Sequence, residues 1–185
     1  VELDNRFRNV LAELQSSKDI NMVWGDAIAL FGQLVETHGI NKVIANIPYK
    51  ILEPLLIAIH THRRIKMAVL MVGKRYTDRV TADLKTPSQR EEGFTKTSLF
   101  SQARFTPRIV ASVPRESFLP QPRTESAIVV LQECDKKEQN PILRKVADMI
   151  IRNPNYLVRY FLKTMIDEIF NTKTRRIHVR DIDAT

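Results

Sequence analysis

The chain has 185 residues, with 29 Lys and Arg against 21 Asp and Glu, a net charge of +8. At 43% hydrophobic and 27% charged residues it has the composition of one globular domain, or one domain with a small appendage, and not that of a disordered chain. No apolar run nears the ~18 residues of a membrane span, and the single cysteine, Cys134, excludes a disulfide framework and any cysteine-based zinc site. One cysteine fits a reducing compartment, the cytoplasm first and the mitochondrion as the alternative. The excess of base points to a polyanionic partner, most simply nucleic acid, against the plain alternative of a basic protein without one. Val1 opens the chain with neither an initiator methionine nor a signal-like run. There are five glycines and no G-x-G, so no glycine-rich cofactor turn is expected.

In chain order, Val1–Asp4 reads as the end of a strand and Arg6–Leu14 as a helix, with Phe7, Val10, Leu11 and Leu14 at helical spacing. Ile20–Trp24 is a short apolar run, read as a strand, that ends at Gly25-Asp26. Ala27–Glu36 is a helix. Lys42–Ala45 is a strand running into Asn46-Ile47-Pro48-Tyr49. The helix after it, Leu52–His62, tolerates Pro54 in its first turn. Lys66–Val72 reads as a buried strand and Lys74–Leu84 as a helix. This alternation predicts a parallel α/β sheet. The rhythm then changes. Thr86–Gly93 is loop-like and Thr97–Phe105 helical. Arg108–Val113 and Ser126–Leu131 form an antiparallel pair at the sheet edge, joined through the proline-rich Pro114–Glu125. A polar linker, Glu133–Asn140, leads to helices over Ile142–Ile151 and Tyr156–Phe170 and a last turn near Asp181.

Asn46-Ile47-Pro48-Tyr49 is the most informative tetrapeptide. It follows a strand, at the carboxyl edge of a parallel sheet, where α/β proteins place ligands. Pro48 disfavours helical dihedrals at Ile47, so the Ile47 carbonyl and the Asn46 side-chain oxygen are able to converge. Two convergent acceptors suit an exocyclic NH2, and Tyr49 offers a face for a base to stack on. The competing reading is a tight loop with a core tyrosine.

The tetrapeptide resembles motif IV of amino-directed methyltransferases, and the wider chain is similar to the rRNA adenine dimethyltransferase family, the group containing KsgA and the Erm enzymes. "VELD" resembles the acidic motif of the family's second strand, "WGDAI" its G-D-A-[L/I], and "VIANIPYKILEPLL" its motif IV strand, loop and helix. "MAVLMVGKRYTDRVTA" resembles the next strand and basic helix. The segment from "FTKTSLFSQARF" through "ESFLPQPRTESAIVVL" resembles the closing part, with its P-x-x-x-F-x-P-x-P. The order holds from Val1 to about Leu131. The family's first strand and its G-x-G-x-G loop are missing ahead of Val1, and Lys50-Ile51-Leu52 and Phe94-Thr95-Lys96-Thr97-Ser98 depart from the usual residues.

The resemblance implies a Rossmann-like class I methyltransferase sheet with an antiparallel edge pair. Residues 1–133 would form the S-adenosylmethionine-dependent domain and residues 134–185 a small basic helical domain, which carries half the net charge. It implies that Glu2 holds the cofactor ribose, that Asp26 and Ala27 meet its adenine, and that Asn46 borders both cofactor and target. Asn46, Ile47, Pro48 and Tyr49 would receive the target adenine, with Phe118 as the second wall. The plainer readings are a solvated terminus for Glu2, a helix cap for Asp26 and a core residue pinning a loop for Phe118. No base catalyst stands out. Accepting both amine hydrogens favours a nitrogen with an available lone pair, so positioning and electrostatics carry the rate. His38, His60, His62 and His178 lack metal-ligand spacing and read as surface or packing residues. Arg63, Arg64 and Lys66, then Lys74, Arg75 and Arg79, then Arg104 and Arg108, form basic clusters suited to RNA phosphates.

The function implied is dimethylation of adenosines in small-subunit rRNA, with S-adenosylmethionine as cofactor, on a precursor particle, by a monomer without membrane attachment. The alternatives are an Erm-type large-subunit enzyme, or a non-catalytic RNA-binding assembly or transcription factor on the same fold.

Overall fold

The structure, a computed structural model, describes residues 1–17, 20–82, 95–135 and 140–152. The expected loop at Thr86–Gly93, the helix at Tyr156–Phe170 and the turn near Asp181 lie outside the described residues. Asp4 caps a 3-10 turn, Asn5–Phe7, and helix α1 (Arg8–Ser17) follows. Helix α2 (Ala27–His38) starts at Asp26 and stops at Gly39, whose φ of 64° suits a residue without Cβ and whose N–H donates to the Val35 carbonyl.

Strand β1 (Lys42–Asn46) passes through a 3-10 turn, Tyr49–Ile51, into helix α3 (Leu52–Thr61). Pro54 sits in the first turn of α3, where its missing N–H has no helical acceptor to lose. Strand β2 (Met67–Gly73) leads to helix α4 (Lys74–Val80). Helix α5 (Lys96–Gln102) is opened by a capping box between Thr95 and Ser98. Strand β3 (Phe105–Val113), strand β4 (Ser126–Glu133) and helix α6 (Pro141–Arg152) complete the described elements.

The sheet order is β1-β2-β4-β3, with β1 and β2 parallel and β4 antiparallel to both β2 and β3. The expected antiparallel pair therefore occupies one edge. Ala68, Leu70 and Val72 of β2 alternate onto the same buried face as Ala127, Val129 and Leu131 of β4. Against them pack Leu52, Leu55, Leu56 and Ile59 of α3, Leu99 and Phe100 of α5, and Leu143, Val146, Ala147 and Ile150 of α6. Helix α6 thus enters the same core, beyond the polar linker.

Three readings change. Val1–Asp4 and Ile20–Trp24 are not strands: they share a single parallel bridge, Glu2 to Trp24, bounded by Glu2 N–H to Val23 O at 3.0 Å and Gly25 N–H to Glu2 O at 2.9 Å. Among the described residues neither segment bonds to the four-stranded sheet, so no ladder builds up on either side. The helix before β3 ends at Gln102, and Phe105 already belongs to the strand. Arg104 is no part of an RNA-facing cluster, because its side chain is buried. It donates through Nη1 to the carbonyls of Ile59 (3.2 Å) and His60 (2.9 Å), with a longer contact to His62 (3.4 Å), and through Nη2 to Ile65. Its Nε faces Glu133 Oε1 at 3.2 Å.

Nearby, His60 is fully buried on α3, edge-on to Phe100, with Nε2 3.2 Å from Asp148 Oδ1 of α6. Arg63 Nη2 donates to the same carboxylate oxygen at 2.8 Å. Burial, then the Arg63 charge, lower the His60 pKa to about 4, with Arg104 adding to the effect and Asp148 opposing it. The unfolded chain binds that proton near pH ~6.5, so the stability contributed by neutral His60 is complete above that value and lost as pH falls towards 4. Between about pH 7 and pH 4 the unfolding free energy should drop on the order of 3 kcal/mol further in the parent than in His60→Asn, followed by urea denaturation at constant ionic strength. Parallel pH profiles for the two proteins would mean that His60 is not the group that titrates.

Candidate active site

The parallel register sets Asn46 at the carboxyl end of β1 beside Met71 of β2, and Gly73 beside Ser126 of β4. At this end of the sheet lies an open cavity of about 320 Å³, lined by Asn46, Ile47, Pro48, Met71, Gly73, Phe118, Pro120, Pro122 and Ser126. Ile47 is buried, and its N–H donates to the Met71 carbonyl at 3.2 Å, which carries the strand pairing one residue past β1 and then releases the chain at Pro48. The Pro48 carbonyl accepts from Ile51 N–H at 3.0 Å, closing the turn into α3. Asn46 is exposed, and among the described residues nothing hydrogen-bonds its side-chain amide. Tyr49 opens the 3-10 turn; its side chain lies outside the described part.

Phe118 arrives from far along the sequence. After β3 the chain turns through Arg115–Ser117, and Phe118 follows with extended dihedrals, φ −118° and ψ 148°. It lines the same cavity as the Asn46-Ile47-Pro48 turn, together with Pro120 and Pro122. Four of the five expected target-site residues, Asn46, Ile47, Pro48 and Phe118, are thereby brought to one cavity. Met71, Gly73 and Ser126 join the site through the strand register, which no local motif carries.

Glu2, Asp26 and Ala27 do not line this cavity. The Glu2–Trp24 bridge sets Glu2 beside the segment that ends in Asp26. Glu2 Oε1 accepts from Asp4 N–H at 2.7 Å. Asp26 Oδ1 accepts from the N–H groups of Ile28 at 2.7 Å and Ala29 at 3.3 Å, which is an N-cap. Each carboxylate keeps a second oxygen without a partner among the described residues, so capping and ligand contact are compatible. No group of three or more His, Cys, Asp and Glu suited to a metal occurs among the described residues. Nor is any described helix long and apolar enough to cross a membrane. Within three residues of cavity-lining positions in the sequence, Lys50, Lys74, Arg75, Arg115 and Arg123 are exposed, Lys74 facing Glu125 at 3.8 Å.

A model of the ribosomal RNA adenine dimethylase family matches residues 1–182. The chain belongs to that family. A "probable ribosomal RNA small subunit methyltransferase A" of Pyrococcus abyssi is 32% identical over 150 residues, covering 78% of this chain and 50% of the relative. The ribosomal RNA small subunit methyltransferase A of Deinococcus radiodurans is 30% identical over 168 residues, covering 89% and 54%. The chain spans about half the length of the relatives it matches. Among solved structures, a dimethyladenosine transferase from Plasmodium falciparum superimposes with a TM-score of 0.60 at 24% identity over 80% of this chain and 51% of that one. The 23S rRNA methyltransferase ErmE gives 0.57 at 18% identity over 80% and 57%. These two likenesses establish the fold, a Rossmann-like methyltransferase sheet.

The cap at Asp26 is separable from any ligand role. Asp26→Ala should lower stability by about 1 kcal/mol and Asp26→Asn by only a few tenths, since the amide oxygen still accepts from the first turn. Thermal unfolding of both variants checks this; equal losses would assign the effect to the charge and not to the hydrogen bonds.

Proposed function

We propose that the protein carrying this chain transfers methyl groups from S-adenosylmethionine to the exocyclic amine of adenosines in small-subunit rRNA, as a step in ribosome biogenesis. The observation that carries this reading is the cavity at the carboxyl ends of β1 and β2, which is lined by both the Asn46-Ile47-Pro48 turn and Phe118. The target adenine leaves the RNA stack and enters with its amine towards the Asn46 side-chain oxygen and the Ile47 carbonyl. Phe118 packs on one face of the base and Tyr49 on the other. Pro48 keeps the turn from collapsing into the following helix.

The residues present fit the cofactor. The second oxygens of Glu2 and Asp26 suit ribose hydroxyls and an adenine amine respectively, and the Ala27 backbone lies beside Asp26. When bound, S-adenosylmethionine supplies a methyl group on a positively charged sulfur. The chain's own residues do the rest: Asn46 and Ile47 draw the amine hydrogens aside, so that the nitrogen lone pair is less committed to the ring, and Phe118 excludes water from one face. The proton leaves to solvent afterwards.

Exposed Lys50, Lys74, Arg75, Arg115 and Arg123 lie within three residues of cavity-lining positions and suit RNA phosphates. We assign residues 1–133 to the methyltransferase domain and residues 134–185 to a basic helical appendage, docked through α6. Its substrate is a small-subunit precursor particle, met in the cytoplasm by a monomer.

The test is methylation by the complete protein, with methyl-labelled S-adenosylmethionine offered to unmethylated small-subunit particles and to large-subunit rRNA. Dimethyladenosine should form in the small-subunit RNA, and binding should weaken by roughly 10³-fold or more between 50 and 200 mM salt if six or more phosphates are held. Label confined to large-subunit rRNA would favour an Erm-type activity. Binding without label would leave a non-catalytic RNA-binding protein.

A further inference from the structure

The segment carrying Phe118 has a second side. Leu119 stands between Phe118 and Pro120, which line the cavity, and is not itself among the lining residues. Leu119 is the most exposed large apolar residue among those described, at 101% against 84% for Ile44. The loop around it is braced. Ser117 N–H donates to Pro114 O at 3.0 Å and Phe118 N–H to Arg115 O at 3.2 Å. Glu116 Oε1 accepts from Arg115 Nε and from Gln121 Nε2, both at 3.0 Å. The two ends of the loop are held together by the pairing of Val113 with Ser126. The exposure of Leu119 is therefore not that of a slack loop. An apolar side chain is held out in water at the lip of the cavity, flanked by the exposed cations Arg115 and Arg123.

We propose that Leu119 is a wedge residue: it fills the place in the RNA stack that the target adenosine vacates and so holds that base in the cavity. The proposal rests on reading the cavity as the receiver of an adenine. Extrusion breaks stacking on both sides of the base and leaves an apolar gap, which an apolar side chain fills better than water does. Leucine suits the gap because it is compact, unbranched at Cβ and without polar groups that would need partners there. The neighbouring cations meet the phosphates on either side. Leu119 is thus a positioning residue. It acts on where the base sits and takes no part in the transfer.

The probe is a small-subunit rRNA hairpin carrying 2-aminopurine at the target position, whose fluorescence rises when the base unstacks. Binding of the complete protein should raise the signal. With Leu119→Ala the rise should fall by about threefold or more while affinity stays within about threefold, because phosphates supply most of the binding. Leu119→Met should restore the signal. In an RNA whose target adenosine is already unstacked, Leu119→Ala should methylate at the parental rate. A full fluorescence rise with Leu119→Ala would overturn the wedge and leave the site reading intact. Failure of the parent protein to methylate the RNA with the unstacked adenosine would overturn the site reading itself. Because Leu119 touches nothing in the fold, an unchanged urea midpoint for each variant excludes misfolding as the cause.

Discussion

A single buried guanidinium ties the end of α3 and the approach to β2 to the end of β4. Arg104, between α5 and β3, donates to carbonyls of Ile59, His60 and Ile65, with His62 at the limit of contact. Those groups are the end of α3 and the approach to β2, where a helix leaves its last carbonyls without partners. The cation also sits at the negative end of the helix dipole. Glu133, at the end of β4, faces its Nε and binds Lys66 at 2.6 Å. Burial pulls the Arg104 pKa down to about 10, so the group stays charged at neutral pH. Its removal would leave the carbonyls of Ile59, His60 and Ile65 without this donor and Glu133 with Lys66 alone, which in comparable sites costs about 3–5 kcal/mol.

That arrangement separates support from function along β2. At its amino end, Lys66 meets Glu133 close to Arg104 and Arg63, and the His60–Asp148–Arg63 group there joins α3 to α6. At its carboxyl end, Met71 and Gly73 border the cavity. The strand transmits position from one end to the other because it is buried and paired on both sides. Asn46 is placed by its pairing with Met71, and Ser126 by its pairing with Gly73. Phe118 reaches the same place only because β3 and β4 bring both ends of its loop to that edge.

What the sequence made legible follows from how local each signal is. Asn46-Ile47-Pro48-Tyr49 carries its own turn chemistry, and the structure puts its first three residues at the predicted strand end. Asp26 before an apolar helix reads as a cap, and it is one. Arg104 is not legible as a structural residue, because its partners lie some 40 residues away and nothing near it in sequence distinguishes a structural arginine from an RNA-facing one. Val1–Asp4 and Ile20–Trp24 have strand-like composition, but a strand needs a neighbour, and periodicity does not supply one. Helix α6 was placed beyond a linker by composition; its apolar face reveals a core position only once the surface it covers is known. The exposure of Leu119 is equally a tertiary property.

The account's central claim is that Asn46 acts on the amine of the bound adenine and not on the affinity for RNA. The direct measurement is single-turnover methylation of a small-subunit particle by the complete protein and by Asn46→Ala, with filter binding at the same salt. The transfer rate should fall on the order of 100-fold, as when one preorganised polar group is lost from other sites, while RNA affinity stays within about twofold. Methylation at the parental rate by Asn46→Ala would contradict the claim and reduce the turn to a loop.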